Sequence, residues 1–292
     1  MNNTSPLLVI VGETASGKSA LALQLARQLD GEIICADSWT VRREVNIGTA
    51  KPSAEEQALV PHHLLDIVGP DEEFTAAVFQ QRAKQAIDDI ARRGKLPIMV
   101  GGTGLYIDSV IYDYGFLEEG DRTARQELND LTVEQLLQKI EGLAIPLGDV
   151  DVRNKRRLIR LIETGGAQPS KQALRENTCI IGLHTEREVL TDRITQRVDA
   201  MLAAGLEQEV QALQAAYGWD CEALKGVGYA QWKEYFLGAQ SYAETRQKII
   251  KATLDLAKRQ RTWFKRNKSI QWLPTPVNYT HVVDSVTTFL DK

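Results

Sequence analysis

Residues 12–19 read GETASGKS: a glycine, four intervening residues, then Gly-Lys-Ser. An apolar run, Leu7–Val11, precedes this segment, and a helical pattern, SALALQLARQL, follows it. A loop of that composition between strand and helix is a phosphate cradle. Gly12 and Gly17 let the backbone curl, so that amides along Glu13, Thr14, Ala15 and Ser16 point at one oxyanion cluster. Lys18 supplies a cation for the terminal phosphate, and the Ser19 hydroxyl is placed to ligate Mg²⁺. The helix that follows adds its positive end. A phosphorylated ligand is expected here.

The loop does not say what becomes of the phosphates. Phosphate-loop proteins usually pair it with an apolar strand ending in Asp, which holds the metal through water. The apolar stretch Pro97–Val100 ends instead in Gly101-Gly102-Thr103-Gly104, whereas Ile33–Ala36 ends in Asp37-Ser38. The Asp37 carboxylate could serve a metal or act as a base on a second substrate.

These groups need elements to position them. Leu7–Val11, Ile33–Ala36, Ile98–Val100 and Cys179–Leu183 are short apolar runs separated by helical patterns. That alternation predicts a parallel α/β sheet covered on both faces. Phe74–Arg93 reads as one helix, with Thr75 as cap and Gly94 as stop. Between Phe116 and Pro169 strand signals vanish and amphipathic stretches such as Thr132–Ile140 and Asn154–Glu163 take over, which predicts a helical insertion. Beyond Thr185 the pattern is mostly helical: Glu186–Ala203, Leu206–Tyr217 and a long basic helix near Tyr242–Arg266. A strand at Ile270–Leu273 and a helix at His281–Leu290 close the chain.

The 292 residues are 43% apolar and 25% charged, as in ordinary soluble globular proteins, with room for one or two domains. The net charge of −4 hides an asymmetry. Nine Lys/Arg lie between Arg246 and Lys268 against one acid, Asp255, and Arg153, Lys155, Arg156, Arg157 and Arg160 form a second cluster. Two basic patches in an acidic protein suggest a local polyanion site; a solvated helix face is the plain alternative for either. Cys35, Cys179 and Cys221 lack the spacing of a zinc site or a disulfide framework. His62 and His63 are adjacent, so on a strand they would face opposite sides, which argues against a shared metal. MNNTSP carries no cationic leader and Leu7–Val11 is far too short to span a bilayer, so a cytoplasmic protein is expected.

Several segments together resemble the tRNA dimethylallyltransferase (isopentenyltransferase) family, of the bacterial type without a zinc finger. They are GETASGKS (12–19), DSWTV (37–41), NIGTAKP (46–52), HHLLDI (62–67) and VGGTGLYI (100–107). RLIRLIE (157–163), RITQRVDAMLAAGLEQEV (193–210), GVGYAQW (226–232) and AKRQRTWF (257–264) continue the series in the family's order. GGTGLY and AKRQ-x-TWF are far more specific than the phosphate loop.

The resemblance implies a phosphate-loop nucleoside-triphosphatase-like α/β core over 1–116 and 176–292, with a helical, tRNA-binding insertion over 117–175. It also implies transfer of a dimethylallyl group from dimethylallyl diphosphate to the exocyclic amine of the adenosine beside the anticodon. The phosphate loop then grips a leaving diphosphate, with Mg²⁺ as cofactor. Asp37 matches the family's general base, Thr103 a residue at the reacting groups, and Arg197 an arginine that reaches the diphosphate. Asp37, Ser38, Trp39, Thr40 and Thr103 fall where the flipped adenosine would sit, since the target base must leave its stack before it reacts. Arg125, Arg156, Arg157, Arg160, Lys258 and Arg259 match positions on the anticodon stem-loop. A monomer is expected.

The chain departs from the family at several points. Thr40-Val41-Arg42 replaces Gln-Val-Tyr, and Thr40 is too short to reach the base as Gln would. Glu13 replaces Pro and is expected to bring a carboxylate close to the diphosphate. Arg153-Asn154-Lys155-Arg156 replaces Asn-Asp-Pro-Gln, and Leu254-Asp255 follows Thr253 where Arg-Gln is common. These changes bear on RNA affinity and substrate preference. Three other readings stand beside the main one. A phosphate-loop small-molecule kinase leaves GGTGLY and AKRQRTWF unexplained, and a nucleotide-switch module would want a clear metal-holding Asp. An isopentenyltransferase acting on free adenine nucleotides would have no use for the insertion and the basic helix.

Overall fold

Six strands align in parallel: β1 (Leu7–Gly12), β2 (Gly31–Cys35), β3 (His62–His63), β4 (Leu96–Gly101), β5 (Thr178–His184) and β6 (Gln271–Pro274). Their order across the sheet is β3-β2-β4-β1-β5-β6. The register places Val9 opposite Met99 and Ile180, so each central strand is buried between two neighbours. This computed structural model describes residues 4–117, 122–148, 150–167 and 169–291.

The helices are α1 (Lys18–Gln28), α2 (Ala54–Leu59), α3 (Ala76–Arg92), α4 (Gly104–Ile111), α5 (Arg122–Asp130), α6 (Val133–Gly142), α7 (Lys155–Glu163), α8 (Arg187–Ala203), α9 (Leu206–Tyr217), α10 (Lys233–Phe236), α11 (Tyr242–Phe264) and α12 (Tyr279–Leu290). Strand residues alternate between two apolar layers, as period-two side chains must. Leu8, Ile10, Ile33, Ile98 and Ile181 pack with Leu21 and Leu25 of α1 and with Val282 and Val286 of α12. Val9, Val11, Ile34 and Met99 are equally buried on the opposite face, where α3 contacts β2 and β4, and α11 contacts β1. Both faces are covered, which explains why the strands read as continuous apolar runs.

Two compact units divide the chain: Met1–Ile111 with Leu174–Lys292, and Tyr112–Ala173. The smaller unit is a bundle of α5, α6 and α7 around Leu128, Leu136, Ile140, Leu158, Ile159 and Leu161. Thr132 caps α6 in a reciprocal capping box with Gln135, and Asn154 caps α7 through the Arg157 amide. No helix among the described residues is long and apolar enough to cross a membrane.

Thr75 caps α3 as its sequence predicts, accepting from the Val78 amide. The long basic helix stops at Phe264, two residues short of the expected end. β3 is two polar residues, paired with Ile33 and Ile34. His63 Nε2 there meets the Glu32 carboxylate at 2.7 Å, while His62 Nδ1 lies 2.8 Å from the Val60 carbonyl.

Candidate active site

Because the strands are parallel, the loops that leave β1, β2 and β4 emerge at one edge, where open α/β sheets collect their ligands. The first is the phosphate loop. Ala15 and Gly17 both adopt positive φ, 62° and 90°, which curls the segment and starts α1 directly after it. Lys18 Nζ donates to the Glu13 carbonyl at 3.3 Å. From α8, Arg197 reaches the Thr14 hydroxyl and the Thr49 carbonyl, each at 3.4 Å.

Lys18 and Arg197 line one pocket together with Ser19, Asp37, Trp39 and Thr40. Burial lowers the Lys18 ammonium to about 8, and the nearby Arg197 charge pushes the same way. Burial also lowers Arg197, against the pull of Asp37. Neither cation has an ion-pair partner within 4.0 Å among the described residues. Two poorly solvated positive charges without a carboxylate are a receptor for a multiply charged anion. The same pocket is walled by Ile33, Val100, Ile194, Val198, Ile249 and Leu256, which suits an apolar group attached to that anion.

Asp37 lies two residues beyond the end of β2, after Ala36. Its Oδ1 accepts from the Trp39 amide at 2.8 Å and the Thr40 amide at 3.3 Å, fixing the carboxylate in a tight turn. Oδ2 has no hydrogen bond among the described residues and is available to a ligand. Thr103 sits at the start of α4, but its side chain does not cap that helix. Its Oγ1 accepts from the Ser38 amide at 3.1 Å, and its own amide donates to the Ala36 carbonyl at 3.2 Å. Thr103 thus braces the backbone on both sides of Asp37. The Thr40 Oγ1 is buried without a hydrogen-bond partner among the described residues, and Thr40 lines the pocket.

The two most specific segments of the sequence touch each other. A Cβ on Gly102 would lie 2.2 Å from Gln260 Nε2, and one on Gly104 would lie 2.2 Å from the Trp263 ring. Only glycine lets the GGTGLY turn approach α11 this closely. Gln260 then accepts from the Thr14 amide at 2.8 Å, and Trp263 Nε1 donates to Asp108 at 3.0 Å.

Glu13 differs from its expected placement. Its carboxylate is only 2% exposed and turns away from the cradle, held by Arg261 through Nε–Oε2 at 2.6 Å and Nη2–Oε1 at 2.7 Å. A buried carboxylate needs a cation, and the one within reach lies on α11 rather than in the loop.

Sequence reasoning missed Glu209. Its carboxylate accepts from the amides of Asn46 at 2.9 Å, Ile47 at 2.9 Å and Gly48 at 3.1 Å, and from the Tyr229 hydroxyl at 2.6 Å. Glu209 therefore shapes the 46–52 loop, whose Thr49 carbonyl anchors Arg197. Both partners lie in segments that resemble the family, NIGTAKP and GLEQEV, but nothing in either pattern pairs them.

The basic residues divide into two kinds. Arg156 and Arg157 on α7, and Lys258 and Arg259 on α11, are exposed. Arg125 instead grips Glu163 at 2.7 and 2.8 Å, and Arg160 holds the same carboxylate at 3.2 Å and the Leu117 carbonyl at 2.7 Å. The Glu163 side chain is 4% exposed, so both arginines serve the bundle's own stability.

A phosphate loop on a parallel sheet, two half-buried cations without a carboxylate partner, an apolar wall and a strand-end carboxylate define a phosphate-loop enzyme. The IPP transferase family model matches residues 40–267. A tRNA dimethylallyltransferase of Exiguobacterium sp. is 40% identical, over 99% of this chain and 98% of its own. Another, from Bacillus subtilis, is 38% identical over 93% and 92% of the two chains. The crystal structure of a full-length tRNA isopentenylpyrophosphate transferase from Bacillus halodurans superposes with a TM-score of 0.78 at 36% identity, covering 99% of this chain and 97% of that one. The chain belongs to the tRNA dimethylallyltransferase, or IPP transferase, family.

Proposed function

We propose that the protein transfers a dimethylallyl group from dimethylallyl diphosphate to the exocyclic amine of the adenosine beside the anticodon in tRNA, acting in the cytoplasm. One observation carries this reading: Lys18 and Arg197, without an ion-pair partner among the described residues, line one pocket with an apolar wall and with Asp37, which keeps one oxygen free. The cations take the diphosphate and the aliphatic wall takes the five-carbon group.

As the allylic carbon–oxygen bond breaks, its electron pair passes to the diphosphate, where Lys18, Arg197 and the loop amides hold the new charge. The adenine amine forms the new nitrogen–carbon bond and gives its proton to Asp37 Oδ2. Thr103 and the Trp39 and Thr40 amides keep Asp37 oriented for that transfer. The Thr40 Oγ1 is one polar group that a flipped base would meet.

The fold family implies a divalent cation. Ser19 fits one: it is exposed within the pocket and its hydroxyl has no partner among the described residues. No cluster of three or more His, Cys, Asp or Glu occurs among the described residues. A hard ion that takes most of its oxygens from diphosphate and water, as Mg²⁺ does, suits such a thin donor set. When bound it would neutralise part of the diphosphate charge. The exposed cations Arg156, Arg157, Lys258 and Arg259 are assigned to the tRNA backbone.

The test is mass spectrometry of nucleosides from tRNA incubated with the protein, Mg²⁺ and dimethylallyl diphosphate. A prenylated adenosine beside the anticodon is expected. Inorganic phosphate released from ATP, with no prenylated nucleoside, would favour the kinase reading.

A further inference from the structure

Glu13 is a negative charge inserted into a loop meant for anions. It lies between Gly12 and Thr14, its own carbonyl accepts from Lys18, and its carboxylate acts on the Lys18 charge through space. Left unpaired, it would repel a diphosphate and compete for Lys18. The structure removes that problem by one contact. Arg261 grips the carboxylate with two parallel hydrogen bonds and also donates to the Thr185 carbonyl at 3.0 Å, while the Thr185 amide donates to Glu13 Oε1 at 3.3 Å. The loop, the end of β5 and α11 are thereby tied at a single point. The neighbouring Gln260 takes the next loop amide, that of Thr14.

We propose that Arg261 is a positioning residue for the phosphate loop: by pairing with Glu13 it cancels the loop's own negative charge and aims that carboxylate away from the diphosphate. Glu13 and Arg261 thus form a matched pair, each tolerable because of the other. The inference rests on the diphosphate reading of the site. It predicts a readout that a merely structural role does not: diphosphate affinity, rather than stem-loop affinity, falls when the arginine alone is removed and recovers when both partners are. A buried carboxylate stripped of its cation stays costly, whereas a neutral pair does not.

The experiment measures inorganic diphosphate binding by calorimetry, and KM for dimethylallyl diphosphate, in Arg261→Leu, Arg261→Lys, Glu13→Gln and the double variant Glu13→Gln/Arg261→Leu. An anticodon stem-loop is titrated in parallel. Arg261→Leu should weaken diphosphate binding and raise KM about tenfold or more, with a smaller change in kcat and in stem-loop affinity. The double variant should recover most of that loss. Arg261→Lys keeps the charge but not the two-point grip, and should fall between wild type and Arg261→Leu. Should Arg261→Leu not fold, Arg261→Gln alone and combined with Glu13→Gln give the same comparison, an uncompensated carboxylate against a neutral pair. Wild-type diphosphate affinity in the arginine variants, or a double variant no better than its single parent, overturns the proposal. A wild-type protein that binds no diphosphate overturns the reading beneath it instead.

Discussion

The Tyr229 hydroxyl donates to Glu209 Oε1 at 2.6 Å, and the hydroxyl end of the Tyr229 ring lies against Gly48, where a Cβ would come within 2.6 Å of it. The contact closes a cage around the 46–48 amides, all of which point at the same carboxylate. Glu209→Ala leaves those amides and a buried phenol unsatisfied together. We expect it to destabilise the protein by about 3 kcal/mol in denaturant unfolding, since each buried orphan costs about 1–3 kcal/mol and some amides regain water. It should also raise KM for dimethylallyl diphosphate, because Thr49 no longer anchors Arg197. A variant with unchanged stability and KM would show that the loop holds its shape without Glu209.

Lys18 gives the pH dependence of ligand binding. In the free protein its ammonium titrates at about 8, lowered from 10.5 chiefly by burial. A bound diphosphate favours the charged form and raises that value. Below pH 8 the lysine is already charged and binding takes up no proton there. Above pH 8 binding draws in one proton, and affinity falls about tenfold per pH unit until the bound-state value is reached. Calorimetry in two buffers of different ionisation enthalpy counts the proton. Lys18→Arg keeps a permanent charge and subtracts the ligand's own titration. Equal proton uptake by wild type and Lys18→Arg would remove Lys18 as its source.

Much of the fold was legible in the sequence, because β1, β2, β4 and β5 are largely apolar runs buried on both faces and bounded by turns. β3 was not: His62-His63 carries no periodicity and becomes a strand only by pairing with Ile33 and Ile34. Within the site, the phosphate loop and Asp37 were readable since each lies at the carboxyl end of an apolar strand. The contacts that brace them were not. Thr14 meets Gln260 across 246 residues and Glu13 meets Arg261 across 248, and neither propensity nor spacing encodes such a meeting. Charge counting fails in a related way. It marks Arg160 as basic, as the family pattern marks Arg125, but in the folded bundle Glu163 already holds them both.

Asp37→Asn isolates the base. The amide oxygen still accepts from Trp39 and Thr40, so the turn survives, but the group no longer takes a proton. Single-turnover prenylation should slow about 10²-fold or more, with stem-loop affinity unchanged. Thr103→Val removes the acceptor for the Ser38 amide and should slow the same step less, because Asp37 keeps both of its own donors, the Trp39 and Thr40 amides. A near-normal rate in Asp37→Asn would assign the carboxylate to another task.

The division among the arginines yields the sharpest test of the RNA path. Arg156, Arg157, Lys258 and Arg259 are exposed. Each alanine change there should weaken stem-loop binding alike across sequences and lower the salt slope by about 0.7–0.9 per lost phosphate contact, with little effect on folding. Arg125→Ala and Arg160→Ala should do the reverse. They strip hydrogen bonds from the buried Glu163 carboxylate, so the insertion unit should lose stability, on the order of 2 kcal/mol, while the salt slope stays near wild type. Thr40→Gln forms a third class. It enlarges a buried polar group that lacks a partner, so it should alter the prenylation rate on an adenosine-containing stem-loop and leave the salt slope alone. Three readouts, slope, stability and rate, thus separate three sets of residues that charge and position in the sequence would lump together. A salt slope that drops in Arg125→Ala as much as in Lys258→Ala would mean that Arg125 leaves Glu163 for RNA.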